Sequence, residues 1–85
     1  MPEVVVRPGA SLPVRSLSFS VRNKTPRKTG SYELVGKGRD AGAYTVPEPT
    51  RQGGVDHFAE TGHAGLQGYY TVKNTGGVTL WVDLQ

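Results

Sequence analysis

Apolar and polar residues alternate along much of this chain, most clearly in its last run, VTLWVDLQ. Val78, Leu80, Val82 and Leu84 point one way; Thr79, Trp81, Asp83 and Gln85 point the other. A period of two marks a strand with one face on a core and the other toward water. Ahead of it lie residues 67–73, QGYYTVK, and the turn Asn74-Thr75-Gly76-Gly77. The glycines there supply positive φ, so the pattern predicts a C-terminal hairpin.

The same test identifies further strands. Residues 3–7, EVVVR, are β-branched and end at the turn signal Pro8-Gly9. In residues 12–22, LPVRSLSFSVR, the apolar set Leu17, Phe19 and Val21 alternates with serines and Arg22, but Leu12 and Val14 have the opposite parity. One strand cannot bury both sets on one face. A bend or bulge near Arg15 and Ser16, or two strands in different sheets, must intervene. Pro13 has no N–H to give a ladder, which places its segment at an edge or a strand start.

Residues 31–36 read as a strand with Tyr32 and Leu34 on one face, and residues 43–46 as a short one. Residues 23–30 and 37–42 read as loop and turn. Residues 47–54, PEPTRQGG, read as loop because Pro47 and Pro49 block ladder bonds. Residues 55–60 fit a strand or one helical turn, and residues 61–65 a loop. No helical period escapes Gly or Pro. The expected fold is all-β: a single antiparallel β-sandwich or small barrel of six or seven short strands, one domain over residues 1–85.

Composition adds a constraint. Only 35% of 85 residues are hydrophobic and none is Cys. The core is therefore small and without disulfides, a shortfall that small domains often meet by oligomerising. The net charge of +3 is scattered, except at Arg22, Lys24, Arg27 and Lys28. This is not the dense basic face of a nucleic-acid binder. No run approaches the roughly 20 apolar residues of a membrane helix. The opening MPEVVVRPG, with Glu3, does not read as a signal peptide. Localisation stays open.

Candidate chemistry is sparse. His57 and His63 stand with Asp56 and Glu60 in DHFAETGH, all possible metal ligands. On a strand, positions six apart lie about 20 Å from each other. Only a turn at Thr61-Gly62 could join the histidines, so they read as solvated loop residues, and no metal or cofactor is expected. The serines at 11, 16, 18, 20 and 31 lack a nucleophile elbow, and GKGRDAG lacks phosphate-loop spacing. No catalytic residue is assigned. The phrases FSVRNKT and YTVKNTG look alike and read as two strand ends entering turns.

Trp81, the single tryptophan, falls on the wetter face. The predicted hairpin sets Tyr69, Thr71 and Lys73 beside Thr79, Trp81 and Asp83. Another part of the chain could cover this surface, a second protein could dock there, or Trp81 and Tyr69 could stack on a sugar. The strand 78–84 also offers an edge for pairing with another chain. These features predict a non-enzymatic structural or interaction module. It would act as a homo-oligomer or within a larger assembly, such as a virion or secretion apparatus. The alternative is a carbohydrate-binding module.

Overall fold

A computed structural model describes residues 3–66 and 69–84. Gln67 and Gly68, at the start of the predicted strand 67–73, and Gln85 lie outside the described residues. The fold is all-β, and no helix forms among the described residues, hence none long and apolar enough to cross a membrane. In order, the strands are β1 (Glu3–Val6), β2 (Ser11–Val14), β3 (Phe19–Asn23), β4 (Gly30–Val35), β5 (Gly42–Val46), β6 (Arg51–Gln52), β7 (Val55–Asp56), β8 (Ala59–His63), β9 (Tyr70–Asn74) and β10 (Leu80–Leu84). Eight of them make two antiparallel four-stranded sheets: sheet A, β1-β10-β3-β8, and sheet B, β2-β9-β4-β5.

The parity conflict in residues 12–22 resolves as two strands in different sheets: β2 joins sheet B and β3 joins sheet A. β2 is an edge strand, as Pro13 requires. Leu17 belongs to neither strand and is exposed, because the chain is crossing between sheets there. The alternating residues that do enter the core are Val6, Val14, Phe19, Val21, Tyr32, Leu34, Val72, Leu80 and Val82, all buried between the sheets.

Three expectations are corrected. The predicted hairpin does not form: β9 lies in sheet B and β10 in sheet A, so residues 75–79 cross the sandwich. Val72 and Val82 do both face the core, but from opposite sides of it. Residues 61–63 are strand rather than loop, because β8 pairs with β3 from Phe19↔His63 to Asn23↔Ala59. Residues 51–56, split between loop and an ambiguous segment, contain the small hairpin β6–β7, whose turn residues Gly53 and Gly54 both have positive φ (58° and 78°). Positive φ at both central positions is the type I′ geometry that suits two-residue hairpins.

The two sheets share one strand plan. Replacing β1, β10, β3 and β8 by β5, β4, β9 and β2 turns sheet A into sheet B. The registers agree as well. The rung Val4–Val82–Val21–Thr61 in sheet A matches Gly42–Leu34–Val72–Leu12 in sheet B. FSVRN and YTVKN, the phrases that look alike, are the matching strands β3 and β9.

Both phrases end in a buried asparagine that redirects the chain. Asn23 Oδ1 accepts the Thr25 N–H, and its amide donates to the carbonyls of Lys28 and Pro47. Asn74 Oδ1 accepts the Gly76 N–H, and its amide donates to Val78 (2.8 Å) and Val6 (2.9 Å). Each shapes its own crossing loop and pins it to the end of a distant strand. Asn74→Ala would leave the Val6 and Val78 carbonyls short of a donor. The expected loss in urea unfolding is about 3 kcal/mol, since each buried group left unpaired costs ~1–3 kcal/mol. A loss below about 1 kcal/mol, the worth of a single net hydrogen bond, would show that the loop holds without it.

Candidate functional site

The outer face of sheet A follows from its register. One rung carries Val5, Trp81, Arg22 and Glu60; the next carries Glu3, Asp83, Ser20 and Gly62. Arg22 is central on this face. Its Nη1 reaches Glu3 Oε2, its Nε reaches Glu60 Oε2 and its Nη2 reaches Asp83 Oδ2, each at 3.1 Å. Three acids from three other strands thus share one guanidinium. Its fixed fork of donors suits such a role, where an ammonium would act only as a point charge. The second cation, Lys24, meets Glu3 Oε1 at 2.6 Å.

Two aromatic rings complete the network. The Lys24 ammonium stands 5.1 Å from the centre of the Trp81 ring, and the Arg22 guanidinium 4.6 Å from that of Phe58. Trp81 is therefore half-buried under its own chain's Lys24 side chain. The covering comes from the same chain, at the residue just past the end of β3. Glu60 and then Glu3 hold the Arg22 guanidinium above its ordinary value. Lys24, more than Arg22, holds the Glu3 carboxyl below its own.

The six residues predicted to share one surface divide between the sheets. Trp81 and Asp83 stand on the outer face of sheet A, with Asp83 largely buried against Arg22. Thr71 and Lys73 stand on the outer face of sheet B; Tyr69 is exposed just before β9, and Thr79 lies in the crossing before β10. β10 also has no free edge, since β1 and β3 flank it. Sequence reasoning noted Arg22 and Lys24 only as part of a basic stretch. Their partners Glu3, Glu60 and Asp83 lie 19, 38 and 61 residues from Arg22, beyond any local pattern. The alternation of Ser20 and Arg22 with buried Val21 was the one available signal that Arg22 faces outward.

The histidines part company. Thr61-Gly62 lies inside β8, so the turn that could have joined them is not made. His57 is exposed; His63 turns inward among Phe19, Tyr32 and Tyr44. Its Nε2 lies 2.6 Å from the Tyr32 hydroxyl. Burial holds the His63 imidazole below its ordinary value, against a weaker pull from Asp40. Burial likewise pushes the Tyr32 phenol well above its own. No three metal-ligating side chains gather among the described residues.

Sheet B offers a different feature, a shallow cleft of about 310 Å³ lined by Pro13, Val14, Arg15, Tyr69, Tyr70 and Thr71. Compared with known protein families, curated proteins and solved structures, the chain matches none.

His63 gives the fold a pH dependence whose sign can be stated. Its folded value is depressed from 6.5, so below pH 6.5 the unfolded chain takes up the proton first and stability falls. Glu3, depressed from 4.5, adds a further loss below pH 4.5. Chemical unfolding at a series of pH values should show stability declining from near pH 6.5 downward. In His63→Gln the decline should begin only in the carboxylate range; an unchanged onset would remove His63 as its cause.

Proposed function

We propose that this chain is a non-catalytic assembly module that self-associates through the free edge of β1. The observation that carries this reading is the contrast among the four edge strands of the two sheets. β2 carries Pro13, which blunts its edge. β5 and β8 cover one another, joined where the Thr61 hydroxyl donates to the Thr45 carbonyl at 2.8 Å. The matching position on β2 is Leu12, which has no hydroxyl, so β1 gains no such tie to its neighbour.

β1 itself is a run of three valines, with neither proline nor glycine among its residues. Val5 is 50% exposed on its outer side. Unprotected β-branched edges of this kind pair readily with further strands. The strand is also self-complementary. In an antiparallel pair of two β1 strands centred on Val5, Glu3 of each copy stands opposite Arg7 of the other. A two-fold contact of this sort closes as a dimer and joins two copies of sheet A into one eight-stranded sheet.

Light scattering over a concentration series checks the reading. Wild type should rise to a dimer mass, while Val5→Lys should stay monomeric, because it sets like charges directly opposite each other. Val5 is half-exposed, so the monomer should keep its melting curve within about 0.5 kcal/mol. Trp81→Ala should lower stability by about 1–2 kcal/mol by removing the ring beneath Lys24, and leave the dimer mass intact. A wild-type monomer throughout, or a dimer indifferent to Val5→Lys, would sink the proposal.

A further inference from the structure

We infer that the cleft on sheet B is a carbohydrate site for an acidic sugar, in which Tyr69 stacks on a pyranose ring and Arg15 takes its carboxylate. The site lies on the sheet opposite the β1 edge and does not depend on self-association.

The cleft is built by the β2–β9 ladder. Val14 pairs with Tyr70 and Pro13 with Thr71. Val14 and Tyr70 are buried and form the floor; Pro13 and Thr71 alternate with them and stand on the outer side. Arg15 and Tyr69 follow at the two adjoining strand ends and make the walls.

Tyr69 is 72% exposed, more than any other large hydrophobic side chain among the described residues. Leaving such a ring in water forgoes the burial it would otherwise gain. Its backbone, by contrast, packs closely against Gly36, and the next residue is tied through its side chain. A Cβ at Gly36 would come within 2.9 Å of the Tyr69 carbonyl, so only glycine lets the chain just past β4 approach this closely. The Tyr70 hydroxyl accepts the Asp40 N–H at 3.1 Å. The ring thus projects beside the packed end of β9, where a sugar ring can reach its face.

Charge selects the ligand. No acidic side chain lines the cleft. The ion pairs among the described residues do not include Arg15, and the chain carries a net +3. A guanidinium binds a carboxylate with two parallel hydrogen bonds, a geometry that a neutral sugar hydroxyl cannot return. The Thr71 hydroxyl can donate to or accept from ring hydroxyls, and Pro13 gives an apolar flank. One ring and one cation suit one sugar residue. A nucleic-acid strand needs a row of aromatics and a basic groove.

The test is a titration of the full chain with trigalacturonate, followed by amide chemical shifts in NMR. Maltotriose and an oligothymidylate serve as neutral and nucleic-acid comparisons. Shifts should be confined to Pro13's neighbours, Arg15, Tyr69 and Thr71, with a Kd on the order of 1 mM or tighter, as expected for one shallow site. Tyr69→Ala should weaken binding at least tenfold, and Tyr69→Phe should retain it. Arg15→Gln should bring trigalacturonate down to the level of maltotriose. Tyr69 is exposed, so these variants should fold with unchanged spectra elsewhere. Absence of shifts, equal binding of maltotriose by wild type, shifts that survive Tyr69→Ala, or preferential binding of the oligothymidylate would each overturn the assignment.

Discussion

A buried asparagine side chain carries two donors and an acceptor that must be met without water, and in this protein two such residues determine where the chain goes. Asn23 and Asn74 are almost wholly buried, and each accepts from the residue two positions on. That local bond bends the backbone out of its strand. The amide then donates to a distant carbonyl, Pro47 for Asn23 and Val6 for Asn74. The chain is thereby committed to cross to the other sheet. Two of the chain's crossings between the sheets, from β3 to β4 and from β9 to β10, follow from this one device used twice.

With the crossings set, the sandwich closes around its core and the two outer faces diverge. The matching outer rungs are Val5–Trp81–Arg22–Glu60 in sheet A and Ala43–Glu33–Lys73–Ser11 in sheet B. One shared plan thus carries two chemistries. Sheet A gathers three acids on Arg22 and lays Lys24 across Trp81, so the surface charges are largely satisfied within the molecule. Such partly exposed pairs add modestly to stability. Their consequence is spatial, because they hold a ring and two cations in place beside the β1 edge. The seams diverge as well, one tied by Thr61 and Thr45, the other bordered by the valines of β1.

Much of the fold was legible in the alternation. The strands β3, β4, β9 and β10 fall where apolar and polar residues take turns, β1 falls on a β-branched run, and the parity break at Arg15 and Ser16 marks a change of sheet. The short pieces were harder to read. Thr61-Gly62-His63 has no strand signature of its own and becomes β8 because β3 offers it a ladder. The hairpin was misread because Asn-Thr-Gly-Gly suits a tight turn, and only the burial of Asn74 against the Val6 carbonyl makes it a crossing. The same error joined Tyr69 to Trp81, since two strands that share a core also share an outer face only when they lie in one sheet.

The sequence alone therefore determined the identity of most strands and which side chains each turns toward the core. Those properties depend on residues next to one another and on the two-residue period of an extended chain. Tertiary structure decided which sheet each strand joins, which edges stay open, and which charges meet at Arg22. These depend on carbonyls and carboxylates tens of residues away, brought into reach only when buried polar groups must find partners inside the closed sandwich.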